Sequence, residues 1–135
     1  MSAPTHLLVN TLIGVSLYKV GLIDSLGLAI AFIAAGWLID IDHILYTTIK
    51  HKTFSPKKII QIERTAGKNM QARLYIFHSR EFNLALIVAS IFYPVLFIFV
   101  GSNIIHIALD IIAHYKHHKS FKFTKEWSIL YYLVK

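Results

Sequence analysis

Residues 40–46, DIDHILY, end a long apolar run with two aspartates and a histidine where a lipid-facing helix would carry leucine. Similar intrusions recur as His6 near the start, FHSREF at 77–82 and HIALD at 106–110. Each ionisable side chain inside a bilayer helix costs about 2.5–3.5 kcal/mol on insertion scales unless something nearby neutralises it, so their chemistry has to be mutual. The chain has no cysteine, so any metal must be held by nitrogen and oxygen. Mixed imidazole and carboxylate ligands suit zinc, manganese or non-haem iron. The candidate ligands are His6, Asp40, Asp42, His43, His78, His106 and Asp110. They exceed the four that a structural zinc takes, which leaves room for one or two divalent ions, zinc or manganese first.

Side chains three or four apart share a helix face, which pairs His106 with Asp110, Asp40 with His43, and His78 with Glu81. Asp40 and Asp42 fall about 200° apart on a regular helix, so both can face one site only where the helix ends or unwinds between them. Glu81, if not a ligand, is the candidate catalytic general base, within one water of the metal. Asn10, one turn after His6, could orient it. His114 reads equally as ligand or interfacial side chain, while His51, His117 and His118 sit among lysines and read as solvated surface. The bland alternative is a set of Asp–His ion pairs that holds helices together without metal.

The elements that must carry these groups are apolar. At 135 residues the chain fits one domain; its 56% hydrophobic content and mean hydropathy of +0.56 are too high, and its 16% charged content too low, for an ordinary soluble domain. Four apolar segments are expected, at residues 6–23, 25–49, 81–100 and 104–115, the third kinked at Pro94 and followed by a turn at Gly101-Ser102-Asn103, and the fourth short and semi-polar, spanning only if Asn103 or the KHH after it lies near an interface. The predicted fold is an all-α polytopic membrane bundle of about four helices. A basic, polar connector spans about 50–80, and an interfacial tail alternates lysine with aromatics over about 116–135. The N-terminus has no basic residue before its apolar run and no small-residue cleavage pattern, so the first segment is expected to stay in the mature protein.

The net charge of +7 is unevenly placed: apart from Lys19, every Lys and Arg falls in the connector or the tail. The positive-inside rule then sets both regions, and both termini, on the cytoplasmic side of the cell's inner membrane. Anionic lipid headgroups account for the basic balance, and nucleic acid is the weaker partner. In this topology all four segments bring their polar groups towards one leaflet, whereas structural polar groups buried independently would scatter in depth.

The ordered set of His6, DIDHILY, FHSREF and HIALD resembles the motifs of the YdjM-like family of membrane-bound metal-dependent hydrolases, over most of the chain. The resemblance implies a small polytopic membrane protein with His6, Asp40, Asp42, His43, His78, His106 and Asp110 at the family's motif positions. The expected activity is hydrolysis, at the cytoplasmic headgroup level, of a lipid-like or phosphorylated ester. Lys57, Lys58, Arg64, Arg73 and Arg80 are candidates for holding phosphate. The competing class is a non-enzymatic membrane protein whose cluster binds an ion or only stabilises packing. A third possibility is an anchor that presents its basic segments to a partner.

Overall fold

The computed structural model describes residues 3–68, 73–119 and 128–134. In order these form α1 (Ala3–Lys19), α2 (Leu26–Leu38), α3 (Ile41–His51), α4 (Pro56–Lys68), α5 (Arg80–Phe92), a 3-10 turn (Pro94–Leu96), α6 (Phe97–His118) and α7 (Ile129–Val134). Among the described residues there is no strand. Helix α2 packs against both α1 and α6, α5 packs against α6, and α4 lies on α3.

Helices α1 and α2 make a hairpin. Leu22 N–H bonds Leu17 O at 3.0 Å and Gly21 N–H bonds Tyr18 O at 3.1 Å, with Gly21 at φ +75. That pair is the glycine-terminated helix end in which a left-handed residue returns two amides to the last turn. Ser25 then opens α2 by accepting from Leu28 N–H at 3.1 Å. The two helices approach closely where glycines remove side chains. A Cβ on Gly14 would meet Ile33 at 2.9 Å, and one on Gly36 would meet the Asn10 side chain at 2.2 Å. The register is therefore antiparallel, with His6 and the C-terminal end of α2 at the same level. At the other end, Ile23, Ala29 and Phe32 form the apolar core, packed by Leu17 and Ile105.

Two helical stretches among the described residues, Leu26–His51 and Pro94–Lys116, are long and apolar enough to cross a membrane. The first corresponds to the expected second segment, but it is not regular throughout. Asp40 N–H bonds Trp37 O at 3.1 Å and His43 N–H bonds Asp40 O at 3.2 Å, three residues back in each case. This tightened turn divides α2 from α3 between the apolar run and the DIDH group. Helices α1 and α5, with 17 and 13 residues, are shorter than a full crossing of about 20 residues.

The third and fourth segments divide elsewhere than expected. Gly101, Ser102 and Asn103 do not form a turn; they lie inside α6, where Ser102 and Asn103 are buried. The chain reverses instead at Tyr93, whose extended backbone (φ −127, ψ 84) suits a residue before proline, and Pro94 starts the next turn, where no N–H is needed. The connector, expected as polar chain, contains α4. Helix α4 keeps Ile59 buried and exposes Lys57, Lys58 and Arg64. In the tail, α6 continues to His118, and the six-residue α7 follows; residues 120–127 lie outside the described set.

Candidate metal centre

The break between α2 and α3 creates the site. Because Asp40 N–H turns to Trp37, the carbonyl of Gly36 loses its usual partner four residues on, one of the orphan acceptors that every helix end leaves. His106 fills that vacancy from α6, with Nδ1 at 2.6 Å from Gly36 O. A carbonyl only accepts, so Nδ1 carries a proton, and in the neutral ring Nε2 presents a lone pair. The approach requires a bare backbone: Asn10 and Ser102, both fully buried, crowd the position a Gly36 side chain would take. Ser102 Oγ, on α6, donates to Phe32 O of α2 at 2.7 Å and lies 3.4 Å from Asn10 Oδ1 of α1, so these small polar groups join the three helices, while Asn10 Nδ2 donates to His6 O within α1 at 3.1 Å.

His78 is set the same way from the loop before α5. Its Nδ1 lies 3.1 Å from Asp42 Oδ2, and that oxygen also accepts from Phe77 N–H at 3.0 Å. A carboxylate on one ring nitrogen fixes the tautomer and turns the other nitrogen towards a metal, the arrangement usual behind metal-bound histidine. Ser79 caps α5 through Phe82 N–H at 3.2 Å and so fixes the loop that carries His78. His6, on α1, places Nε2 3.0 Å from Asp110 Oδ1, and its ring stacks on His106 with centroids 3.9 Å apart.

Six of the expected ligands converge. Potential ligand atoms lie within 4.8 Å of one another in three overlapping groups: His6, Asp40 and His106; Asp40, His43 and His78; His78, His106 and Asp110. His106 Nε2 stands 3.3 Å from Asp40 Oδ1 and 3.4 Å from Asp110 Oδ2, and His78 Nε2 stands 3.5 Å from that same Asp110 oxygen. Charge-assisted N–H to carboxylate bonds close to roughly 2.7–2.9 Å, so these separations are too wide for strong ion pairs. They match the edge of a tetrahedron whose centre binds nitrogen and oxygen at zinc-like distances, about 3.4 Å. The buried Nε2 of His106 and Nδ1 of His6 also have no hydrogen-bond partner, which in a protein interior calls for a ligand or bound water. Donor set, spacing and orphaned nitrogens all fit a divalent cation, with the shared residues able to serve one ion or two.

The far side of the cluster is held by charge. His43 Nδ1 lies 3.3 Å from Glu63 Oε2 on α4, and Glu63 also accepts from Arg73 Nη1 at 2.6 Å, Tyr75 Oη at 2.8 Å and the Thr47 hydroxyl. Burial pushes the Glu63 carboxyl up, but the hydrogen bonds from His43, Thr47 and Tyr75 outweigh it and hold its pKa at about 2. Burial, with Glu63 beside it, pushes the Tyr75 hydroxyl up, so it stays a donor. Tyr75 covers His43 with ring centroids 3.8 Å apart. Arg73, expected among the phosphate-binding residues, is buried against Glu63 instead. Glu63 was itself missed as a site residue, although it is the only acid among eight basic residues in the connector.

Two expected site residues stand in none of the three groups. Asp42 lies behind His78 as its hydrogen-bond partner. The Glu81 carboxylate accepts from Ser128 Oγ and from Ile129 N–H at 3.0 Å, so it caps α7. His51 is exposed, His114 is half-buried outside the three groups, and the side chains of His117 and His118 lie outside the described set. No family model, curated protein or solved structure matches this chain.

Proposed function

We propose that this protein is a membrane-embedded, metal-dependent hydrolase of the YdjM-like kind, acting on an amphiphilic ester at the cytoplasmic headgroup level of the cell's inner membrane. The carrying observation is the convergence of His6, Asp40, His43, His78, His106 and Asp110, from α1, the α2–α3 break, the loop before α5, and α6, onto one cluster with metal-like ligand spacing. Independent burial of polar side chains gives no reason for such convergence.

The membrane setting rests on two supports. Buried polar side chains outnumber buried hydrophobic ones among the described residues, while leucines, isoleucines and phenylalanines crowd the outside, the reverse of a water-soluble interior. The stretches Leu26–His51 and Pro94–Lys116 would run in the same direction, so the short α5 has to return the chain between them. With α1 before them the chain makes four crossings, and the positive-inside rule puts the α4 region, the tail and both termini in the cytoplasm.

A bound divalent ion, zinc or manganese, supplies an activated water and a Lewis acid for an acyl or phosphoryl oxygen. The protein's own part is positional. His6, His78 and His106 are buried and wall the cluster on one side, whereas the Asp40 and His43 side chains are 20% and 29% exposed and mark the open side. Beside Asp40 and His78 lies an apolar groove of about 210 Å³, lined by Ala35, Ile39, Phe77, Phe82, Leu86 and Phe99. It suits the hydrocarbon part of a lipid-like substrate. Lys57 and Arg64 line a separate polar groove on the exposed face of α4, a basic surface that attracts anionic headgroups. Glu81, engaged by α7, has no part in this reading.

The test is turnover of a long-chain phosphoester or acyl ester by protein purified in detergent and loaded with zinc or manganese. Turnover that a chelator abolishes, metal restores and Asp110→Asn removes supports hydrolysis. A metal-loaded protein that turns over no such ester contradicts it and leaves the ion-binding class. The closed contact His6–Asp110, at 3.0 Å, favours the other alternative, a cluster that only stabilises packing. That alternative predicts full folding without metal.

A further inference from the structure

Glu63 belongs to the connector, twenty residues along the chain from His43, yet it reaches the ring of His43 from another helix, α4. We infer that Glu63 is a positioning residue of the metal centre: it fixes His43 with the proton on Nδ1, so that Nε2 faces Asp40 and His78, and thereby ties α4 to occupancy of that part of the cluster. The inference rests on the metal reading proposed above.

The chemistry follows from donors and acceptors. Glu63 is paired at 2.6 Å with Arg73, which carries a permanent charge, so its carboxylate is ionised and can only accept. The His43 nitrogen facing it at 3.3 Å must therefore bear hydrogen, and a neutral ring then has its lone pair on Nε2. That atom lies 3.8 Å from Asp40 Oδ1, and His43 joins Asp40 and His78 in one group of potential ligands. His78 with Asp42 and His106 with Gly36 are set by the same device, Nδ1 to an oxygen and Nε2 inward. Three histidines from three elements in one protonation pattern are what a metal centre needs and what random ion pairing would not produce. Tyr75 over the His43 ring, Thr47 and Arg73 then complete the carboxylate's contacts, so Glu63 cannot rotate without uncovering a buried arginine.

The full chain in detergent, carrying 15N-labelled histidine, provides two readouts. In metal-free protein at neutral pH the side-chain nitrogens of His43, assigned by their loss in His43→Asn, are expected to show the Nδ1–H form in the wild type. They are expected to lose that preference in Glu63→Gln. A His43 protonated on Nε2 in the wild type overturns the inference whether or not metal binds. The second readout is affinity for cobalt(II), followed by its visible spectrum. Glu63→Ala is expected to weaken binding about 10–100-fold, as losses behind a metal-bound histidine do. The double variant Glu63→Ala with His43→Ala is expected to bind no worse than His43→Ala alone. Equal affinity in Glu63→Ala and wild type, or fully additive losses, contradicts a role through His43. A wild type that binds no cobalt defeats the metal reading, while the tautomer still decides the placement of His43.

Discussion

On the α1–α2–α6 side the cluster rests on backbone and small side chains; on the α3–α4 side it rests on charge. His106 is held by the carbonyl of Gly36, and Asn10 and Ser102 fill the space that a side chain at position 36 would take. His43 is held by Glu63, which is in turn surrounded by Arg73, Tyr75 and Thr47. The first flank is buried and tolerates no added volume. The second is partly exposed and tolerates changes of size better than changes of charge. The cluster thus has a close-packed wall on one side and a polar, partly exposed clasp on the other.

The comparison breaks most severely at Gly36. Gly36→Ala puts a methyl among Asn10 and Ser102 and is expected to cost about 1–3 kcal/mol, as over-packing does, seen as a lowered Tm in detergent together with loss of metal. Arg73→Met should come next. It strips a buried cation from Glu63, whose own side chain is 20% exposed, and so should cost about 1–2 kcal/mol once screening is allowed for. Metal binding is expected to survive it in weakened form, because Glu63 remains on His43. Tyr75→Phe removes one hydrogen bond to Glu63 and is expected to lower stability by about 1 kcal/mol with metal stoichiometry unchanged. Ser25→Ala, at the distant hairpin turn, should cost about 0.5–1 kcal/mol through the lost cap and leave the cluster intact. If Gly36→Ala and Arg73→Met have equal effects on metal binding, the two flanks are not distinct.

The residues that converge in the cluster were legible in the sequence because charge inside apolar segments is costly and so stands out. Asp40 and Asp42 could share one site only if the helix broke between them; the helix breaks instead at residues 39–40, ahead of α3, and Asp42 stands behind His78 rather than beside Asp40. What escaped was everything whose signal looks ordinary. Gly101, Ser102 and Asn103 read as a turn because small polar residues serve turns in water, but inside a helical bundle the same residues allow close approach and hydrogen-bond across it. The true reversal, at Tyr93 and Pro94, was hidden because a proline in an apolar run also reads as a kink. Helix α4 was obscured by its lysines, although Ile59, Ile62 and Glu63 repeat at helical spacing. Gly36 carries no sign of its role apart from standing four residues before Asp40, where a broken helix leaves its carbonyl unmatched.

Metal stoichiometry tests the central claim most directly. Protein purified in detergent, stripped with a chelator, reloaded with zinc or manganese and desalted is expected to retain one or two ions per chain. Asp110→Ala should retain fewer with its helix content unchanged, and Glu81→Gln should retain as many as the wild type. A wild type that keeps no metal yet unfolds at the same temperature with and without it would show that the imidazoles and carboxylates only hold the helices together.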